Sequence, residues 1–334
     1  MLNLETYIIA EIGVNHDGSI EKAKLLIDEA AKTGANAVKF QSFKAENITS
    51  KNTKKAQYQL NNTKENTSQY EMLKNLQLNF EDLKLLKEYS ENKGLDFLSS
   101  PFDLESFNEL KRLNIKYYKI PSGEITNEPL LTEVAKTGSS IILSTGMCYL
   151  SEVEKAINLI RDNSDCEIIV LQCNTEYPTP MEDVNLNVMS TYKKAFGVRV
   201  GYSDHTIGDE VPVAAVALGA EVIEKHFTIN SNDPGPDHKA SMEVDEFRIM
   251  VNKIRNVEKA IGVFTKKPTP SETKNKGIVR KKIIASKNIN VNERFNECNI
   301  TLKRSSEGLD AEFYSIILGK KANKPYIEGE GIQL

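Results

Sequence analysis

An α/β barrel of eight parallel strands, followed by a small second domain, is the fold the sequence predicts, and three observations predict it. Eight short apolar runs rich in β-branched and aromatic residues recur between residues 7 and 228, amphipathic stretches separate them, and polar residues gather at the late end of nearly every run. The runs are YIIAEIGV (7–14), AVKFQSF (37–43), DFLSSPF (96–102), YYKIPSG (117–123), SIILSTG (140–146), EIIVLQC (167–173), VRVGYSDH (198–205) and EVIEKHFT (221–228). Each has the length of a strand. Between the fifth and sixth, Val153, Ala156, Ile157 and Ile160 fall on one helical face, with Ser151 and Glu154 expected as a capping box at its start. Gly34, Gly94, Gly138 and Gly219 follow helical stretches, where a left-handed cap favours a residue without a side chain. Strand and helix in alternation require parallel strands, because each helix carries the chain back across the sheet. Eight such units close a barrel of the TIM type, and no glycine-rich dinucleotide loop follows the first run to suggest an open sheet instead.

The 334 residues exceed what one ordinary core holds. We divide them into a catalytic barrel over 1–263, a proline-containing charged linker over 264–277 and a compact β-rich domain over 278–334, which is too small to be comfortable alone. One connection is long: residues 44–78 are polar with scattered apolar anchors and follow the second strand. A lid over the catalytic face is expected there, with a mobile insertion as the plainer alternative.

A net charge of -4 removes the electrostatic reason for nucleic-acid binding. No basic start and apolar run mark a signal peptide, and no stretch approaches a membrane span. Four cysteines without a C-x-x-C pair fit a reducing compartment. The expectation is a cytoplasmic enzyme acting on small molecules, with neither nucleic acid nor membrane as partner.

Barrel strands are buried on both faces, so polar residues inside them need a reason. They cluster at the C-terminal ends, where barrel enzymes build their sites. His205 and His226 end neighbouring strands and are expected to share a divalent ion, with waters and a substrate oxygen completing its shell. Lys39 and Lys119, with Ser100, Ser122 and Ser203 near their strand ends, suit a phosphate cradle of point charges and hydroxyls; alternatively the lysines pair with Glu11 and Glu124. Cys173, at a strand end, is a weak candidate nucleophile with His205 as its base, since nothing in its neighbourhood is built to lower a thiol pKa. A Schiff-base aldolase on Lys119 or Lys225 is the rival enzyme, and a sugar- or ice-binding module resting on the C-terminal domain is the rival from another class.

Nine stretches, EIGVNHDGS, AVKFQSF, FLSSPFD, KIPSGE, LSTGM, TEYPTP, GYSDHT, EKHFT and GPDHKASM, resemble in order the motifs of the sialic acid synthases, a family that includes the legionaminic and pseudaminic acid synthases. The tail resembles their antifreeze-like (SAF) domain. The resemblance implies condensation of phosphoenolpyruvate with the open-chain aldehyde of an N-acylated mannosamine-type sugar, giving a nine-carbon 2-keto acid and phosphate. N-acetylneuraminate is the expected product; N,N'-diacetyllegionaminate, from 2,4-diacetamido-2,4,6-trideoxymannose, is the alternative. It implies Mn2+, or Mg2+ or Co2+, on His205 and His226 as a Lewis acid. Lys39, Ser100, Lys119, Ser122, Thr175 and Ser203 match phosphoenolpyruvate-binding positions. Gln41, Tyr177 and Asp237 match sugar-binding ones. Glu11 and Glu124 match catalytic carboxylates, Glu124 beside the carbon that turns cationic. Arg304 is the candidate arginine that a partner's C-terminal domain brings to the sugar, which implies a domain-swapped homodimer. Three positions depart from the pattern: Ser100 stands for a threonine of some members, Thr175 for an asparagine, and Ser305-Ser306 for the proline-glycine that usually follows the arginine.

Overall fold

The computed structural model describes residues 5–63 and 67–333. The chain divides into two compact units, Met1–Gly262 and Val263–Leu334. In the first, the eight runs are strands: β1 (Tyr7–Gly13), β2 (Ala37–Ser42), β3 (Asp96–Pro101), β4 (Tyr117–Ile120), β5 (Ser140–Ser144), β6 (Ile168–Cys173), β7 (Arg199–Asp204) and β8 (Val222–Thr228). They pair in parallel in the row β3-β2-β1-β8-β7-β6-β5-β4. Its two end strands, β3 and β4, lie against each other and bring the row round to a nearly closed barrel. A two-residue strand, Met242–Glu243, adds to β8.

Side chains alternate along a strand, so every second residue points into the ring. The lower inward layer is apolar: Ile9, Ala37, Leu98, Ile142, Ile169, Leu171 and Val222 fill it. Two residues further along the same strands the inward positions turn polar, Ile9 leading to Glu11, Ala37 to Lys39, Leu98 to Ser100, Tyr117 to Lys119, Ile142 to Ser144, Leu171 to Cys173 and Val222 to Glu224. The strand pairing sets Glu11 beside Lys39 and His226, and Ser203 beside Cys173 and Glu224. One barrel therefore has a dry floor and a charged upper chamber. Gly201 is required in the floor, because a Cβ there would come within 2.4 Å of the Val222 carbonyl and 2.6 Å of Leu171.

The outward faces pack under the helices in the main core, where Val153, Ala156, Ile157 and Ile160 are buried as their spacing predicts. The cap of that helix differs. It spans Leu150–Asn163, and the Tyr149 amide donates to the Glu152 carboxylate at 2.7 Å, so Ser151 lies inside the first turn and Glu154 takes no part. Gly34, Gly94, Gly138 and Gly219 all have positive φ, between 74° and 98°.

The connection after β2 is built rather than loose where it is described. Residues 64–66 lie outside the described residues; around them stand short helices Ala45–Ile48, Gln57–Thr63 and Gln69–Leu76. Met72 and Leu76 pack with Val14 and Phe43 in a separate apolar cluster. Lys44 is paired with Glu109 at 2.8 Å, and the Asn62 amide donates to the Pro236 carbonyl at 2.8 Å.

In the second unit, Lys281–Ala285 pairs antiparallel with Ile300–Arg304 over a core of Ile283, Phe295, Ile300, Ile317, Tyr326 and Ile332. The stretch read as a linker contains a helix, Pro270–Val279, capped by Thr269 and with no buried residue. Proline at its first turn, which suggested a break, is where a helix start tolerates it. Among the described residues no helix is long and apolar enough to cross a membrane.

Candidate active site

The upper chamber is a cavity of about 220 Å³. Lys39 sits at its centre, 2.8 Å from Glu11 Oε2, 3.8 Å from Glu224 Oε2 and 3.1 Å from Ser100 Oγ. Lys119 Nζ is 3.3 Å from Glu224 Oε1, which also accepts from Ser203 Oγ at 2.9 Å. The expected pairing of a lysine with Glu124 is not found: Glu124 accepts instead from Asn127 at 2.6 Å and stands outside this cavity, at the edge of the next one. Glu224 takes the place foreseen for it. Alternation along β8 was the available signal, since Glu224 and His226 must share the face that Val222 begins.

Four charges in a buried space set one another's protonation. Burial pushes Glu11 up to about 7 against the pull of Lys39, with Glu224 adding to the rise. Burial opposes charge on Glu224 too, but Lys119, Lys39 and the Ser203 hydroxyl outweigh it and hold that carboxyl down at about 2. Lys39 is raised, its two carboxylate neighbours overcoming burial, while burial leaves Lys119 lowered. With Glu11 protonated, Lys39 and Lys119 face Glu224 alone among the paired groups of the chamber, a balance that suits an anion. Ser144 Oγ, which lines the same space, is buried with no hydrogen-bond partner among the described residues.

Ser122 and Thr175 meet at Gly146. The Gly146 amide donates to Ser122 Oγ at 2.8 Å, and a Cβ on Gly146 would lie 2.3 Å from Thr175 Oγ1. The glycine of LSTGM is thus a positioning element that chain-order reasoning left without a role.

His205 and His226 face each other with ring centroids 5.4 Å apart. His205 Nδ1 is 2.5 Å from the Asn174 carbonyl, a contact that needs the proton on Nδ1 and leaves Nε2 with a free lone pair. Burial works against charge on His205, and Cys173 with that carbonyl overcomes it to raise its pKa. Burial and the neighbouring His205 hold His226 well below the ordinary range, so it is neutral, and its buried Nδ1 has no hydrogen-bond partner among the described residues. Two imidazoles with lone pairs to give fit a divalent ion of borderline softness. No third histidine, cysteine or carboxylate joins them as a ligand group among the described residues, so further positions would fall to water or substrate oxygen.

Two further expectations are corrected here. Cys173 has the His205 expected beside it, its Sγ 3.9 Å from Nδ1, but its surroundings do act on the thiol: although burial opposes ionisation, His205, Lys119 and Ser203 bring it below its usual value. Lys225 is no pocket lysine. It points out of the ring and is locked to Asp204 at 2.5 Å and the Thr206 carbonyl at 2.7 Å, which leaves Lys119 as the aldolase candidate.

A second cavity of about 340 Å³ adjoins the first and shares Gln41, Phe102, Gly123, Tyr177 and His226 with it. Tyr177 lies over His205 with centroids 4.2 Å apart. Asp237 and Glu124 border this outer space. Asp237 is held in place by its neighbour His238, which sits in a single 3-10 turn between Thr228 Oγ1 at 2.7 Å and Asp17 at 3.3 Å. Arg304 is exposed at the end of its strand in the second unit.

Burial pushes Asp237 up to about 6 from an ordinary 3.8. A carboxyl raised by folding contributes stability that is complete below the unfolded value, about pH 4, and lost as pH climbs through 6. Asp237→Asn is therefore expected to gain on the wild type by roughly 3 kcal/mol between pH 4 and 7.5. Urea titrations at both pH values check it; parallel profiles for the two proteins would contradict the buried-carboxyl account.

A parallel barrel whose C-terminal rim joins an anion chamber to an outer pocket has the architecture of an enzyme that brings a small anion to a second substrate, and the proteins similar to this chain along its length make that class specific: it is a nonulosonic acid synthase. The chain belongs to the NeuB family, whose model matches residues 26–266. It is 50% identical over 331 residues to an N,N'-diacetyllegionaminic acid synthase of Campylobacter jejuni, covering 98% of this chain and 99% of that one. A protein of the same description from Legionella pneumophila is 42% identical, covering 96% and 91%. Among solved structures, an N-acetylneuraminic acid synthetase of Leptospira borgpetersenii in complex with citrate superposes with TM-score 0.72 at 34% identity, covering 82% of this chain and 90% of that one.

Proposed function

We propose that this chain condenses phosphoenolpyruvate with 2,4-diacetamido-2,4,6-trideoxymannose to give N,N'-diacetyllegionaminate and phosphate. The observation that carries the product is the 50% identity, spanning nearly both chains, to the Campylobacter jejuni protein of that description; N-acetylneuraminate, the other product the sequence allows, has its support at 34% identity.

The geometry supplies a rationale for each step. Lys39 and Lys119, with Ser100, Ser122, Ser203 and Thr175, receive the phosphate and carboxylate of phosphoenolpyruvate in the chamber, whose two lysines, facing Glu224 alone once Glu11 is protonated, favour anion entry. The sugar aldehyde lies toward His205 and His226, with Gln41, Tyr177 and Asp237 around the rest of the sugar. The enol carbon attacks the aldehyde carbon, the aldehyde oxygen takes the proton that Glu11 carries, and C2 becomes cationic. Glu11, now a carboxylate inside the chamber, is better placed than Glu124 to face that cation and to take a proton back from the water that adds to C2. Phosphate then leaves the tetrahedral carbon as the 2-keto group forms. A divalent ion, Mn2+ before Mg2+ or Co2+, held by the two imidazoles would polarise the aldehyde oxygen. The same reading assigns a cytoplasmic enzyme and a swapped homodimer in which Arg304 of one copy meets the sugar of the other.

Phosphate release from phosphoenolpyruvate, assayed with each sugar in turn, tests the proposal. Turnover with the diacetamido sugar at least tenfold above N-acetylmannosamine is expected. A preference for N-acetylmannosamine would return the product to N-acetylneuraminate. Release without any sugar, or a borohydride-trapped adduct of Lys119 with pyruvate, would overturn the reaction itself.

A further inference from the structure

Above the shared imidazoles the outer cavity changes character. Its inner edge is polar, but the side formed by the connection after β2 carries, beside Gln59 and Gln69, an apolar patch: Ile48, Met72 and Leu73 line it together with Val14, Phe43 and Phe102. This cluster is separate from the main barrel core, and Ile48, Leu73 and Phe102 are its half-buried members, packed on one side and open to the cavity on the other. A wall of this kind is an unusual neighbour for a fully hydroxylated sugar, whose hydroxyls would lose water against it without gaining partners.

We propose that this wall is the specificity subsite for the C4–C6 end of the sugar, and that Ile48 and Leu73 select a substrate carrying an acetamido methyl and a deoxy C6 methyl over one carrying hydroxyls. The inference rests on the legionaminate reading and adds to it the residues that discriminate. The cavity's lining and the chemistry of the two sugars carry it. On that reading the aldehyde end of the sugar lies toward the imidazole pair and the chamber below holds phosphoenolpyruvate, so the remainder of the sugar has the outer cavity as its space. N-acetylmannosamine and the diacetamido trideoxy sugar differ at two carbons: a C4 hydroxyl is replaced by acetamido, which adds a methyl beyond its polar amide, and a C6 hydroxymethyl is replaced by methyl, so both changes add a methyl where a hydroxyl stood. The connection is also held at its site, by Asn62 on the Pro236 carbonyl beside Asp237 and by Lys44 on Glu109, so its apolar side faces a fixed depth of cavity. Gln69 accepts from Thr49 Oγ1 at 3.1 Å through its side-chain oxygen and donates to Gln59 Oε1 at 3.5 Å; it lines the same space, and its second amide hydrogen suits an acetamido carbonyl.

Two variants test the wall by different physics. Ile48→Thr keeps the β-branched shape and adds a hydroxyl; Leu73→Phe keeps the surface apolar and narrows the space. Each is measured as kcat/KM for both sugars at saturating phosphoenolpyruvate, with KM for phosphoenolpyruvate as the check that the barrel is intact. The expected result is a fall of about tenfold in the ratio of diacetamido sugar to N-acetylmannosamine in both variants, with KM for phosphoenolpyruvate moving less than twofold. An unmoved ratio in both, or equal losses on the two sugars, overturns the subsite while leaving the product reading intact. A wild type that prefers N-acetylmannosamine overturns the product reading and this inference with it.

Discussion

Lys39→Met is expected to slow phosphate release by about 10²–10³-fold and to cost roughly 3–5 kcal/mol of stability. Lys39 is 3% exposed and lies between two carboxylates that are also buried, Glu11 at 2.8 Å and Glu224 at 3.8 Å. Methionine matches its length and removes its charge. Both carboxyls are then left in a low-dielectric space with Lys119 alone to oppose them, and the weaker partner must protonate. Glu11 is that partner, since Lys119 lies 3.3 Å from Glu224. The chamber loses its surplus of lysine charge and its grip on the anion together. A second substitution separates the two effects: Lys39→Met with Glu11→Gln removes the stranded carboxylate and should recover most of the stability but none of the activity. Single-turnover phosphate release and urea denaturation read the two quantities. A Lys39→Met enzyme within tenfold of the wild-type rate would show that Lys39 is a structural ion-pair partner and not the seat of the phosphate.

The contents of this chamber were legible because two periods coincide in the sequence. Strand alternation sends every second residue inward, and residues such as Lys39, Lys119 and His226 break apolar runs at inward positions, so their chemistry announces itself. Which inward residue meets which was not legible, because it depends on strand neighbours. The Lys119–Glu224 contact joins β4 to β8 across the ring, and no spacing along the chain foretells it. The same limit explains the errors. Glu224, Lys225 and His226 read alike as a polar triplet at a strand end, yet the pleat turns Lys225 outward to Asp204, where it closes a buried ion pair under the helices. Glu124 follows a strand that already ends at Ile120, and a short 3-10 turn, Ser122–Glu124, carries it past the chamber to the outer cavity. Cys173 and His205 could be matched because both end strands, but that Lys119 and Ser203 join the histidine in lowering the thiol depends on strand neighbours far off in the chain. Helix starts fail for a more local reason: Ser151 and Glu154 had the residue types of a capping box, but Glu152 meets the Tyr149 amide two residues earlier and the helix begins there.

His226→Ala is expected to abolish measurable condensation, a loss of at least about 10³-fold for the several kcal/mol that a Lewis acid supplies to a carbonyl, and to weaken Mn2+ binding in the same protein. The site has two imidazole donors, and each is prepared differently. His205 has its tautomer fixed by the Asn174 carbonyl, so Nε2 is always the donor atom. His226 is kept neutral by burial and by the other ring, so its lone pair is available well below neutral pH. Two protein ligands would make a site of modest affinity, with the remaining positions left to water and a substrate oxygen. Dialysis against a strong chelator should therefore strip the wild type and stop phosphate release, and Mn2+ should restore it. Electron paramagnetic resonance of Mn2+ titrated into wild type, His205→Ala and His226→Ala measures binding apart from turnover. Both variants are expected to bind at least tenfold more weakly, with His226→Ala retaining its fold because a neutral, hydrogen-bond-free ring at Nδ1 leaves no charge unpaired when it is removed. Full activity after chelation, or unchanged Mn2+ affinity in both variants, would leave the two rings with no metal between them, and the polarisation of the aldehyde would then have to come from Lys39 or from His205 in its protonated form.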